Sequence, residues 1–418
     1  VPSTLDILVV SQFFTPEMGA PAARFHDFGR LLVERGHRVT VLTGFPNSPS
    51  GRIPEAYRGR LRQREQIDGI EILRGWLHAS PRLSRVDKSL GFASYALSAS
   101  AWALLGGLRA DVVVATSPPP TVGIPGLLAA RRLAAPLVFD VRDIWPEAIT
   151  ASGRLHSRPL IRALERIERS LYSHAAAVTV VTEGKRQRLL EKGVPARKLA
   201  VIPNGVDLSR FEGDVPPATE LLREHGVDPA RFVILYAGIM NPPQGLDVLL
   251  DAAALLRGSG VGRRVQFALV GDGSERRRLL ARCESEGLED VVRFLPVQPR
   301  ERIPALLTSA SAIAVTLRPR RDAHTVPSKL YESMASGRPV LVSADGAPSE
   351  ILKDSAAGLA TPASDAEALA GSIRTLLDDP ARARTLGEHG RRFAAGHDRR
   401  RLVERFEEVL LRVARPCP

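Results

Sequence analysis

FVILYAGIMNPPQGLDVLLDAAALLRGSGVGRRVQFALVGDG, residues 232–273, decides the fold. Its first six residues form a short, unbroken apolar run, the mark of a strand buried on both faces. A Gly- and Pro-rich loop follows, then a helical run over 245–257, then a second apolar run over 266–270 that ends in Gly271-Asp272-Gly273. Strand, helix and strand in that order make a right-handed βαβ unit and a parallel sheet covered by helices.

The same rhythm continues in both directions. Downstream, strands are expected at 291–295, 312–317 and 339–343, with a helix at 274–286. Upstream, a separate series opens at 5–10, continues through a helix at 21–35, and places strands at 38–43, 111–115, 136–140 and 176–181. Two series, each starting afresh, predict an α/β chain of two Rossmann-like domains, 1–207 and 208–395. The joint lies near 204–217, where Gly and Pro cluster. Residues 396–418 are expected to form a terminal helix that packs back on the first domain.

Length and composition agree with this reading. At 418 residues, 44% apolar and 25% charged, the chain suits two globular domains and excludes disordered and collagen-like classes. Two cysteines, Cys283 and Cys417, exclude a disulfide scaffold and a Cys-rich zinc site, and fit a reducing compartment. The run at 5–10 is too short for a secretory signal and is broken by Asp6, so a cytoplasmic protein is expected.

The net charge of +12 is uneven: residues 1–207 carry 28 Lys and Arg against 18 Asp and Glu, and residues 208–418 carry 30 against 28. Arg52, Arg58, Arg60, Arg62 and Arg64 form a basic cluster, suited to phospholipid headgroups or a pyrophosphate-bearing acceptor. The plainer reading is a solvated surface in an Arg-rich chain. With 5% aromatic residues and no nucleic-acid motif, nucleic acid is not an expected partner. Residues 90–108 run for 19 positions without a charge, between Lys88 and Arg109. Ser and Gly dilute the run, so a covered domain helix or an interfacial helix is expected rather than a span.

The common phosphate and hydrolase signatures are missing. No Walker A loop, HExxH, CxxC or G-x-S-x-G occurs, and Gly271-Asp272-Gly273 lacks the third glycine of a dinucleotide fingerprint. What remains is a set of loops at the carboxyl ends of the second series of strands, where open α/β sheets bind ligands. They contain Gly238, Gln244 and Gly245, then Gly271, Asp272 and Gly273, then Phe294 and Leu295, then His324 to Glu332. In the last loop Pro327 and Ser328 fit a helix start, with Ser328 or Thr325 as the cap. Lys329 then falls in the first turn and Glu332 one turn along on the same face. A cation for phosphates and a carboxylate for vicinal hydroxyls together suit a nucleotide. Taken alone, Glu332 also reads as an acid placed to favour the helix dipole.

Taken together, the motifs resemble a retaining glycosyltransferase of family 4, with two domains in the GT-B arrangement. The resemblance rests on Val201-Ile202-Pro203-Asn204-Gly205-Val206-Asp207, on Val270-Gly271-Asp272-Gly273, and on Glu332-Ser333-Met334-Ala335-Ser336-Gly337-Arg338-Pro339-Val340. Asp140-Val141-Arg142-Asp143-Ile144-Trp145-Pro146-Glu147, Thr116-Ser117-Pro118-Pro119-Pro120 and Val326-Pro327-Ser328-Lys329-Leu330-Tyr331-Glu332 are similar to the cell-surface polysaccharide branch, which includes N-acetylfucosamine transferases.

The resemblance implies a donor site made of Gly19, Gly238, Gln244, Gly245, Gly271, Asp272, Gly273, Phe294, Leu295, His324, Pro327, Ser328, Leu330 and Glu332. Glu332 stands where the family's ribose-holding glutamate lies. The sequence departs from the family at His324, where an earlier glutamate is usual, and at Ile239 and Gln244, where Arg and Lys grip the diphosphate. Lys329 and Arg318 are the replacement cations. Arg142-Asp143 replaces the commoner His-Asp, and a guanidinium binds rather than abstracts protons at neutral pH.

Lys329, Arg318, Arg142 and Asp143 are therefore the expected catalytic groups, and Arg24, Arg142, Asp143 and Glu147 the acceptor-binding ones. The implied activity is transfer of a sugar from a nucleotide diphosphate sugar, a UDP-N-acetylhexosamine or deoxy relative, with retention and without metal or other cofactor. The implied acceptor is a glycan, polyprenyl-pyrophosphate-linked at the inner face of the plasma membrane. Alternatives are a transferase with a soluble acceptor, a sugar-nucleotide epimerase, and a non-catalytic binder of membranes or polyanions.

Overall fold

The computed structural model describes residues 4–17, 19–48, 50–82, 84–151, 157–213, 215–319 and 324–414. Two compact units emerge, 1–203 with 400–418, and 204–399. The division falls after Pro203 rather than Asp207, because the intervening residues are bonded within the second unit. The Val206 amide donates to the His397 carbonyl at 3.0 Å, and the Arg399 amide donates to the Val206 carbonyl at 2.9 Å. Asn204 Nδ2 donates to the Val326 carbonyl at 3.2 Å.

The first unit is built on eight strands: β1 (Asp6–Val10), β2 (Arg38–Gly44), β3 (Arg62–Ile67), β4 (Ile70–Gly75), β5 (Val112–Ser117), β6 (Leu137–Val141), β7 (Ala177–Val180) and β8 (Leu199–Val201). Their order is β3-β4-β2-β1-β5-β6-β7-β8, parallel except for the β3–β4 pair. That hairpin was not foreseen. Asp68 and Gly69 between its strands both have positive φ, 50° and 78°, the requirement of a type I′ turn.

The second unit has β9 (Phe232–Ala237), β10 (Val265–Val270), β11 (Val292–Leu295), β12 (Ala312–Thr316), β13 (Val340–Ser343) and β14 (Gly358–Thr361), ordered β11-β10-β9-β12-β13-β14 and parallel throughout. The expected strands are all present, and β14 is additional. In each sheet the order reverses beside its first strand, at β1 and at β9. That is where the crevice of an open parallel sheet lies.

Apolar side chains cover both faces of each sheet, as the continuous runs require. The helix Arg399–Ala414 buries Leu402, Val403, Phe406, Val409 and Leu410 in the first unit's core with Phe25 and Phe28. Full burial of such side chains is worth about 1.5–3 kcal/mol each. On its polar side Glu407 accepts from Arg35 Nε at 2.7 Å and lies 2.7 Å from His37 Nε2.

The uncharged run folds into the helix Arg85–Leu105, started by Ser84, whose hydroxyl accepts from the Asp87 amide. Tyr95, Ala99 and Trp102 face the core. Leu90, Leu97 and Leu104, spaced by seven, are 49%, 74% and 44% exposed. Among the described residues no helix is long and apolar enough to cross a membrane.

Candidate functional site

At the carboxyl end of β9, Tyr236 and Gln244 hold the ammonium of Lys329. Nζ donates to the Tyr236 hydroxyl at 2.7 Å and to Gln244 Oε1 at 2.9 Å, and lies 3.9 Å from the Tyr236 ring centroid. Tyr236 is fully buried and directs its own proton to the Ile239 carbonyl at 2.9 Å. Burial pushes the Lys329 ammonium down to about 7, against the opposing pull of Glu332.

Glycine is needed beside this ammonium. Gly238 has φ 147°, and a Cβ there would come within 2.7 Å of Lys329 Nζ. A Cβ on Gly271 would collide with the Gly238 carbonyl, so the loops after β9 and β10 close tightly on each other. The Gly238 amide donates to Val270 at 3.0 Å and the Met240 amide to Asp272 at 2.8 Å. Ser274 donates through its amide and hydroxyl to Asn241 Oδ1 at 3.2 and 3.1 Å. From the other side, Thr316 Oγ1 donates to the Gln244 carbonyl at 2.6 Å and the Arg318 amide to Pro243 at 3.0 Å. The β9 loop is thus fixed by both neighbouring strands.

Lys329 and Glu332 come from the helix Lys329–Ala335. Leu330, Tyr331 and Met334 anchor it in the core. Lys329 and Glu332 together line one small, partly open pocket, and Glu332 also lines a second with Asp207, Arg210 and Arg300.

Several expected members of the site have other duties. Leu295 and Leu330 are fully buried in the core and offer a ligand no side chain; Leu295 contributes only its carbonyl, which accepts from the Gly271 amide at 3.2 Å. Phe294 packs half-buried against the core. Ser328 occupies the helix start without a side-chain bond to it. Asp272 is exposed and bonds the Gly273 amide at 2.8 Å. Arg318, half-exposed beside Gly245, lies 3.4 Å from Asp247 and 3.9 Å from Glu275, so its charge is shared. His324 is exposed, and Pro327 is half-buried.

At the carboxyl edge of the first unit's sheet, Gly19 precedes the helix Ala20–Glu34. Arg24, expected to meet the acceptor, is instead 1% exposed and donates to the Pro203 and Ile202 carbonyls at 2.5 and 2.9 Å. It also lies 3.7 Å from Asp140. A polar residue on the first helix therefore serves the unit's interior. Glu147, likewise expected at the acceptor, accepts from Arg188 at 3.0 and 2.9 Å and from Lys192 at 3.2 Å. Its oxygens are occupied by those cations. Asp143 lies 3.5 Å from the buried Lys185 ammonium, which donates to the Arg142 carbonyl at 2.5 Å. Burial lowers the pKa of the Arg142 guanidinium.

Glu17 escaped the sequence reading. Buried in the loop after β1, it accepts from the amides of Asn47 at 2.8 Å, Ser48 at 2.9 Å and Phe14 at 3.3 Å. It thereby ties that loop to the one after β2. Burial pushes its carboxyl up to about 7, with the backbone bonds opposing. A charged residue between Pro16 and a Gly-containing loop was the available signal. Tyr236 also escaped, and its signal was a lone hydroxyl at the end of an aliphatic strand.

Comparison with known proteins covers both units. Residues 19–205 match the family model described as "Glycosyl transferase 4-like domain", and residues 218–393 match "Glycosyl transferases group 1". A 2-deoxystreptamine glucosyltransferase of Streptomyces kanamyceticus is 30% identical over 375 residues, 84% of this chain and 88% of that protein. WcaI of Escherichia coli K12, named as a colanic acid biosynthesis glycosyl transferase, is 26% identical over 349 residues, 82% of this chain and 84% of that one. HepE of Anabaena, solved in complex with UDP-glucose, superposes with a TM-score of 0.70 at 20% identity, covering 97% of this chain and 99% of that one.

Proposed function

Because the chain belongs to the glycosyltransferase family these two models describe, an enzyme family of GT-B fold, we propose that its second unit binds a UDP-sugar, an N-acetylhexosamine or deoxy relative. The sugar passes with retention to a glycan acceptor, polyprenyl-pyrophosphate-linked, in surface polysaccharide synthesis. The observation that carries this is the pairing of Lys329 and Glu332 on one helix start, with the Lys329 ammonium held against Gly238 by Tyr236 and Gln244. The ammonium and the Gly238 backbone receive the diphosphate, and Glu332 receives the ribose hydroxyls.

In the reaction the acceptor hydroxyl attacks the anomeric carbon on the face the diphosphate leaves. The C–O bond to phosphate breaks, and the departing phosphate oxygen takes the hydroxyl proton. Lys329 works by meeting the charge that develops on that oxygen, which needs no metal. The relatives' names support the class: WcaI is named for colanic acid biosynthesis, and HepE was solved with UDP-glucose.

Attachment to the inner face of the plasma membrane belongs to the same reading. Leu90, Leu97 and Leu104 form an exposed stripe on the helix Arg85–Leu105, whose Trp102 on another face meets strand β3. There the Arg62 and Arg64 guanidinium groups lie 5.8 and 5.4 Å from the Trp102 ring centroid. Exposed leucines on a helix that also meets two arginines suit the interface of an anionic bilayer.

Mass spectrometry of a donor panel against prenyl-pyrophosphate-linked and soluble acceptors tests the proposal, with NMR of the product's anomeric proton. A UDP-sugar epimerised without acceptor would overturn it, as would binding without turnover across the panel.

A further inference from the structure

Burying a polar group without a partner is unfavourable, so the places where a fold tolerates it are informative. Gln12 Oε1, Thr121 Oγ1, and Nε and Nη1 of Arg142 are buried with no hydrogen-bond partner among the described residues. The three residues follow β1, β5 and β6, which are neighbours in the sheet. They therefore share one carboxyl edge, at the reversal of strand order where a ligand crevice forms.

The charges around Arg142 are already balanced. Asp140 accepts from Thr116 at 2.9 Å and Thr179 at 2.7 Å and lies 3.7 Å from Arg24. Asp143 is paired with Lys185 at 3.5 Å. Lys185 also fixes the Arg142 carbonyl, so the backbone carrying the guanidinium is held in place. The guanidinium is thus held by a fixed backbone, with Nε on one side and Nη1 on the other uncommitted within the unit.

We propose that this edge binds a phosphate or pyrophosphate group on the acceptor, received by the Arg142 guanidinium and the Thr121 hydroxyl, while the Gln12 oxygen, an acceptor, is suited to a hydroxyl of the same ligand. The inference rests on the reading of the chain as a sugar transferase. A guanidinium matches phosphate oxygens in pairs.

Calorimetry on the full chain, held at saturating UDP to fill the nucleotide site, tests this with inorganic pyrophosphate as the probe. Wild type should bind pyrophosphate, and Arg142→Gln should weaken it at least about tenfold, as expected for a lost charged hydrogen-bond donor, while UDP affinity stays within about twofold. Arg142→Lys should recover part of the loss, because it restores charge without the fork. Thr121→Val, which keeps the volume, should weaken pyrophosphate by about three- to fivefold and supplies the test should Arg142→Gln fail to fold.

Geranyl pyrophosphate binding more tightly than inorganic pyrophosphate would mark a prenyl-linked acceptor, and equal binding a free phosphorylated sugar; both support the site. Pyrophosphate affinity unmoved by Arg142→Gln and Thr121→Val would overturn it, as would succinate binding equally well. Absence of UDP binding to wild type would instead strike the donor reading, and the same pyrophosphate titration without UDP would still decide this one.

Discussion

Gln244 and Lys329, 85 positions apart, meet at 2.9 Å through an amide oxygen and an ammonium. The family resemblance puts a lysine where Gln244 stands; here the amide instead holds a cation delivered by the helix that begins at Lys329. The charge sits in a partly desolvated cradle, and that sets its pH response.

With the ammonium pushed down to about 7, a substantial fraction of it is neutral in the free protein at neutral pH. An anionic diphosphate selects the charged form. UDP-glucose, which has no terminal phosphate proton to titrate, should therefore bind with level affinity below about pH 6.5, then weaken by up to tenfold per unit above pH 7. Calorimetry in buffers of different ionisation enthalpy should register proton uptake. Lys329→Met should flatten the profile and lower turnover more than donor affinity, as expected for charge met mainly in the transition state.

Glu332→Ala should weaken UDP by about 1.5–3 kcal/mol, the range for a hydrogen bond to a charged group. The fold should persist, since Leu330, Tyr331 and Met334 carry the helix's packing. Unchanged affinity in a UDP titration would remove Glu332 from the site.

Glu17 links pH to stability with a definite sign. Its carboxyl rises from 4.5 to about 7 on folding, so between those values the native state holds a proton the unfolded state has lost. The stabilisation is complete below pH 4.5 and is lost as pH rises through 7. The slope is at most about 1.4 kcal/mol per unit, or about 3 kcal/mol in all. Urea denaturation of wild type and Glu17→Gln at pH 5 and pH 8 should show the variant gaining on wild type at the higher pH.

Anionic vesicles should retain the protein at low salt, and replacing Arg58, Arg60, Arg62 and Arg64 with Gln should release most of it. Each arginine near such a surface contributes about 1 kcal/mol. Leu97→Ser with Leu104→Ser should remove the fraction that resists salt. Sedimentation reads both, and indifference of wild type to vesicles would refute the attachment.

Periodicity carried most of the fold, because strands buried on both faces leave an unbroken apolar signal. The β3–β4 hairpin lay outside that signal: β3 alternates exposed and half-buried positions and carries Arg62, Arg64 and Glu65. β14 is four residues long and begins with Gly358, too little for a pattern. Within the candidate site, motif position foretold that Lys329 and Glu332 share one helix start, since a helix start orients its first turn predictably. Motif position misled at Leu295 and Leu330, neighbours of site residues whose side chains turn inward to the core. Arg24 and Glu147 misled for a different reason. Sequence shows that a charge exists but not which distant group neutralises it, and their partners lie up to 179 positions away.

The helix Arg399–Ala414 has a consequence for biosynthesis. Its five core residues complete the first unit, while the second unit is contiguous over 204–399. A ribosome therefore delivers every strand of the second unit before the first unit receives its closing helix. Until then Phe25 and Phe28 lack the Phe406 ring that sits 6.3 and 5.4 Å from theirs. A chain terminated near residue 398 would carry an intact second unit beside an uncovered first one. Such a product is a substrate for chaperones and proteases rather than a smaller enzyme.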